Sequence, residues 1–544
     1  MKVIHWINSA GGDFDDGADW SGGAVPTARN RAVIDAPGTY TVTLSSRESV
    51  RSLALNAPGS TLLLEDGAML SLGRGLTLKG GGLTLNFGAT ISGGTLLAKK
   101  GKFDWRGGTL DAVTYDGPLN LRHHRSDVHI GVDGIVLRGA DGTGPGTVNI
   151  SRNGFLHFDG SQTVDDATIN ISNSTVDFGS GTPDTTVTLG SQLAINHLGG
   201  ISLIFGIKVT NDGYINAEAK SRKSELGIFT NEFTNSGVIV VSNGDFAKIQ
   251  PTTFTNLVNG TLTGGSYEVD ENSSLELNGN SAVTSDNAVI TLAGPGSAMK
   301  SRTASSHEVS IESTLTTIGS GGTLSLLAGR DWTSTLAMTN SGTLVLGGGT
   351  FASAALTNDG LIRGRGVIAV AIIDDGTIKA VNGTLELTRS TSGAGALEVN
   401  PGGVLQVDAA AAASLTATFN GVGGNLKLGD AADFAATIAG FAAGDTIDLL
   451  GQAATSATLQ AGDQLVVKNG SQTVATLQLS GDYTGDGFAV ASDGHGGSNI
   501  TVTAGLLAQA MASIAPAAAA QIGHSPETWR PHAAMLAGPR AMTA

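Results

Sequence analysis

The side chains best suited to chemistry crowd into one stretch, Lys99 to His129. It holds Lys99, Lys100, Lys102, Asp104, Trp105, Arg106, Asp116, Arg122, His123, His124, Arg125, Asp127 and His129. These are the ingredients for binding an anionic glycan, and Trp105, Arg106, Arg122, His123, His124 and Arg125 form the candidate ligand-binding set. The charges are nearly balanced, however, and the spacing along the chain fits no metal-ligand signature, so a solvated lateral loop is the plain expectation. A second candidate is Asp482, Asp486 and Asp493, where Asp-x-x-x-Asp-Gly matches part of a calcium loop. It lacks the bidentate Glu and the full spacing of an EF-hand, so surface-turn aspartates are the ordinary reading and calcium the only cofactor considered. Trp6 and Trp20 could stack on sugars, but aromatic residues near a chain end are more often core. The chain contains no Gly-x-Ser-x-Gly elbow, phosphate loop or His-Glu-x-x-His helix, and no residue is assigned a catalytic role.

The elements that must carry these residues announce themselves as a repeat. An apolar residue, Thr, Asn, any residue, Gly, any residue and Ile or Leu recur as Val209–Ile215, Phe233–Ile239, Met338–Leu344 and Leu356–Ile362. A variant with a two-residue insertion runs from Phe254 to Leu262, and a degenerate copy from Ile373 to Ile378. The Asn or Asp positions (211, 235, 256, 340, 358 and 374) are separated by 24, 21, 84, 18 and 16 residues, the long gap being close to four periods of about 21 residues. Asn-x-Gly is turn chemistry, both residues tolerating positive φ, and the alternation after it starts a short strand with one face inward. One such coil cannot bury its apolar face alone. Stacked coils can, and stacking predicts amide ladders between equivalent Asn side chains. The expected fold is therefore all-β: a parallel β-helix, or β-solenoid, with Leu344 and Ile362 inward and Thr343 and Leu361 outward. A string of antiparallel sandwiches is the alternative, but sandwich repeats have much longer periods.

Composition agrees. Of 544 residues, 79 are Gly and only 13 Pro; 40% are hydrophobic, 14% charged and 5% aromatic. That excludes collagen, disorder and coiled coils, and calls for a core of small aliphatic side chains. With 31 basic and 47 acidic residues the net charge is −16, the wrong sign for a nucleic-acid partner. Cysteine is absent, so no disulfide staples the fold. No run reaches the ~18 apolar residues of a transmembrane helix, and the first residues lack the apolar core of a signal peptide.

Four regions follow. Residues 1–56, with Trp6, Phe14, Trp20 and Tyr40, are read as an aromatic N-terminal cap; residues 57–419 as the solenoid body; residues 420–503 as a compact all-β module. Residues 504–544 are read as an Ala- and Pro-containing tail, with room for one short helix, that either carries an export signal or is disordered. Within the third region, the Gly-Phe-x-x-Gly-Asp-x-Ile-Asp-Leu run (440–449) and the Asp-Gly-x-Gly-Gly-Ser-x-Ile-x-Val run (493–502) resemble C-terminal modules of large bacterial repeat proteins. Those proteins are secreted or surface-displayed β-solenoids, similar to autotransporter passengers or type I-secreted adhesins. Trp20, Gly23, Val25 and Pro26 and the Asn-x-Gly coils resemble other parts of the same proteins. The chain departs from them in lacking repeated Gly-Gly-x-Gly-x-Asp calcium motifs. The resemblance implies an extracellular or cell-surface repeat protein; its repeated shallow faces lead us to expect binding of a host or environmental surface, or a polysaccharide, through many weak contacts. The alternative is a carbohydrate-active enzyme, a lyase or glycosidase, on the same fold.

Overall fold

A computed structural model describes residues 2–179, 183–221, 223–279, 281–302 and 307–503; the tail expected over 504–544, as an export signal or a disordered segment, lies outside these. The protein is nearly all β-structure, 58% strand and 1% helix, wound as a parallel β-solenoid of about 20 coils. Coils stacked at ~4.8 Å make a rod about 95 Å long. Most strands pair in parallel with the strand one coil on, as Thr343–Leu346 does with Leu361–Gly364. The pattern that drives this is a two-residue alternation. Leu344 and Ile362 are fully buried, whereas Thr343 and Leu361, also in register, lie half-buried on the outer side.

The amide ladder is present and buried. Asn211 Nδ2 donates to Asn235 Oδ1 at 2.8 Å, Asn340 Nδ2 to Asn358 Oδ1 at 2.6 Å, and Asn358 Nδ2 to Asp374 Oδ1 at 2.6 Å. Asn256 joins through the backbone of Asn235, accepting from its N–H and donating to its carbonyl. Two details differ from the sequence reading. Positive φ is adopted by Gly260 of the inserted variant but by none of Gly213, Gly237, Gly342, Gly360 and Gly376, so it is not what these five are there for. They form a column in which a Cβ on Gly360 would run into the Gly342 carbonyl and one on Gly376 into that of Gly360. Close approach of stacked backbones is what demands glycine here. The 84-residue gap, moreover, holds three coil steps rather than four, Ser266 to Val289 to Thr323 to Thr343. A hairpin at 257–262 and an antiparallel pairing of Lys300–Arg302 with Glu308–Ser310 lengthen the coils there.

Asp occupies the ladder column twice. Asp286, in register with Ile318 and through it with Asn340, and Asp374 are both fully buried. Burial pushes the Asp286 carboxyl up to about 7 and that of Asp374 up to about 6, and one oxygen of each has no hydrogen-bond partner. A carboxyl whose pKa is raised on folding binds protons more tightly in the native state. Stability is then full below about pH 4 and falls as pH rises through about 6 for Asp374 and about 7 for Asp286. Asp286→Asn and Asp374→Asn are therefore each expected to raise stability at pH 8 by on the order of 2–4 kcal/mol and to change little near pH 4. Urea titrations at the two pH values check this; equal effects at both would contradict it.

At the N-terminal end the aromatic residues are core. Val3–Trp6 already pairs with Arg31–Ile34, and Trp6, Phe14 and Trp20 pack edge-to-face with ring centres 5.0–5.1 Å apart. Both indoles are buried and donate to backbone carbonyls of Asn8 and Phe14, so neither ring presents a face to a sugar. At the other end the coil register continues past 419: Asn425–Leu428 pairs in parallel with Val404–Val407 and with Thr446–Leu449. The antiparallel module begins only beyond 450, with the hairpins of 456–480 and the pair 487–492/498–503 closing on Thr446–Leu449. Turn sequences change at 420, but the inward Leu and Ile alternation does not.

Candidate functional site

Two outer faces carry repeated polar side chains. On one, five consecutive coils stack Asn120, Asn149, Asn170, Asn196 and Asn216, each amide after the first donating to the Asn before it at 2.8–3.1 Å. Thr147 and Ser151 flank Asn149, and Thr168 and Ser172 flank Asn170 in register, all half-buried. The inner neighbours Val148, Ile150, Ile169 and Ile171 are buried, so the alternation that builds the core also makes the polar face.

The other face carries the histidines. Thr90, Thr109, His129, His157, Asp177 and Phe205 follow one another outward-facing in one row. The His129 and His157 rings stack nearly parallel, centres 4.4 Å apart. His129 Nδ1 lies 3.1 Å from Asp159 and His157 Nδ1 3.2 Å from Asp177, while Nε2 of each ring faces Asp127 Oδ1, at 3.6 and 3.0 Å. Asp127 Oδ1 is itself shielded from solvent and receives no well-aligned hydrogen bond. The hydrogen bond to Asp159 favours the charged imidazole and raises the His129 pKa, with burial working against it.

The sequence-predicted residues fall differently. Trp105 is buried, stacked on Phe103 at 4.8 Å and edge-on to Tyr115, which makes it a core residue beside a shallow recess. Arg106 is exposed and paired with Asp104 at 2.8 Å. Arg122, His123, His124 and Arg125 occupy an exposed turn between the strands 118–121 and 127–130, Arg125 in the left-handed conformation. That is the solvated lateral loop, immediately before Asp127. Asp482, Asp486 and Asp493 do not assemble into a ligand group among the described residues. The Thr484 hydroxyl and N–H hold the Asp482 carboxyl, and the N–H groups of His495 and Gly497 that of Asp493, below the ordinary carboxylate range, which binds each to its own turn.

Sequence reasoning placed Asp127 and His129 in the right stretch but missed His157, Asp159 and Asp177, because the coil supplies each partner 20 to 30 residues on. A His or Asp recurring at the coil period was the available signal. A further pair, His197 and Asp245, is wholly buried at 2.7 Å; its second ring nitrogen meets the Gly200 carbonyl, so both nitrogens are engaged in structure.

The chain matches no protein-family model and none of the curated proteins. No helix among the described residues is long and apolar enough to cross a membrane.

Proposed function

We propose that the protein is an extracellular or cell-surface structural and adhesive rod, non-catalytic, that holds a surface or polysaccharide through many shallow contacts. The observation that carries this reading is the ladder of outward Asn side chains repeated over five coils at ~4.8 Å, flanked by Thr and Ser on the two coils of Asn149 and Asn170. Such a face offers hydroxyls and amides at a fixed spacing, with little rotamer entropy to lose on binding. Repetition turns weak contacts into useful avidity. The net charge of −16 argues against a nucleic-acid partner, and the absence of cysteine and the likeness to surface repeat proteins fit an exported chain. Incubation of the full chain with a panel of neutral and anionic polysaccharides is expected to give binding without release of shortened products. Cleavage of any of them would replace this reading with that of a carbohydrate-active enzyme.

A further inference from the structure

We propose that Asp127, His129 and His157 form a binding site for one divalent transition-metal ion of the zinc type, on the histidine face of the rod. Three potential ligand atoms, one from each residue, lie within 4.8 Å of one another. Two imidazoles and a carboxylate are a donor set that suits such an ion, and three protein ligands leave a position open.

The surroundings specify which atoms would bind. Asp159 and Asp177 accept at the Nδ1 positions of His129 and His157. An ionised carboxylate can only accept, so each Nδ1 carries a proton, and in the neutral ring Nε2 presents its lone pair. This carboxylate–imidazole arrangement is the one that orients metal-binding histidines and raises their basicity. Both Nε2 atoms face Asp127 Oδ1, at 3.6 and 3.0 Å. Around a tetrahedral ion with bonds of about 2.0–2.2 Å, ligand atoms sit about 3.3–3.5 Å apart, so these two separations bracket what an ion needs. With both rings neutral, two lone pairs face Asp127 Oδ1, which is shielded from solvent and has no aligned donor. A metal ion engages all three atoms at once, in place of the ring protons that it displaces.

The rings stack nearly parallel, so their lone pairs run side by side. Gripping one ion requires each ring to rotate until the two Nε2 atoms converge, and binding should break the stack. The side chains of Asp127, His129 and His157 are 28, 37 and 21% exposed. The open coordination position therefore faces solvent, available to water or to a donor atom from another molecule.

Titrating untagged full-length protein with Zn2+ by calorimetry, and with Co2+ by visible absorption, tests the assignment. One ion per chain is expected, with a Co2+ spectrum of low coordination number and imidazole NMR signals of two histidines shifted. Asp127→Asn and His157→Gln should each weaken binding at least a hundredfold. Asp159→Asn, which removes only the group holding His129, should weaken it about 10–100-fold. His495→Ala, in the distant C-terminal module, should leave it unchanged. Circular dichroism establishes that each variant is folded; if one is not, the NMR signature of the unaltered protein decides. Absence of saturable binding, or saturable binding indifferent to both Asp127→Asn and His157→Gln, overturns the proposal.

Discussion

Replacing Gly360 by Ala, the addition of a single methyl group, is expected to lower stability by more than about 3 kcal/mol. The new Cβ would overlap the carbonyl oxygen and amide nitrogen of Gly342 in the coil below. Those are backbone atoms, fixed by the parallel ladder on both sides, so no side-chain rotation relieves the clash. The coils must separate instead, and separation lengthens the Asn340–Asn358 hydrogen bond that runs beside the glycine column. Gly321 is the control. It lies in the same part of the rod, and its Cβ would come no nearer than 3.9 Å to Asn287. Gly321→Ala should therefore shift the urea midpoint little. Similar shifts for the two variants would mean that the glycine column is not a packing requirement.

Leu344→Asp should be at least as damaging, costing on the order of 4 kcal/mol or more at pH 7. Leu344 is fully buried, in register with Leu324 on one side and Ile362 on the other. A carboxylate placed there finds only aliphatic neighbours, and protonating it instead costs free energy in proportion to the gap between its shifted pKa and the solution pH. Thr343→Asp, one residue away on the outer side, should cost less than about 1 kcal/mol. Because each coil touches only its neighbours, the damage in Leu344→Asp should appear first as local loss of amide-exchange protection around residues 323–364. Equal thermal stability of the two variants would contradict the assigned strand faces.

These two residues also show how far the fold was legible. The inward position of Leu344 follows from alternation alone, which is a property of any half-buried strand. The ladder follows from Asn recurring at one point of each coil. The reason for the glycine did not: Asn-x-Gly reads as a positive-φ turn in isolation, and only the neighbouring coil reveals a steric limit. The end of the solenoid was hidden for a similar reason. Local turn sequences change at 420, whereas parallel pairing persists to Leu449 because Leu426, Leu428, Ile447 and Leu449 keep the inward positions.

The candidate site was legible only in part. Charge density drew attention to 99–129, yet Arg122 to Arg125 sit in an exposed turn, and Trp105 is committed to the core. The geometry at Asp127 depends on His157, Asp159 and Asp177, which are remote in sequence and adjacent only through stacking. No spacing rule for helices or zinc loops covers ligands on successive coils. The resemblance to secreted repeat proteins pointed to architecture and left the ligand open.

Binding spread along the polar face, rather than concentrated in one pocket, can be measured directly with a polysaccharide that the rod retains. Thr147, Ser151, Thr168 and Ser172 are replaced by Lys one after another in the full chain, leaving the Asn ladder and the core intact. Affinity is expected to fall stepwise with each substitution, while His123→Ala, His124→Ala and Arg125→Ala singly change it little. Complete loss from one substitution, or loss only when the Arg122–Arg125 turn is altered, would contradict a multivalent face and place recognition at a single site.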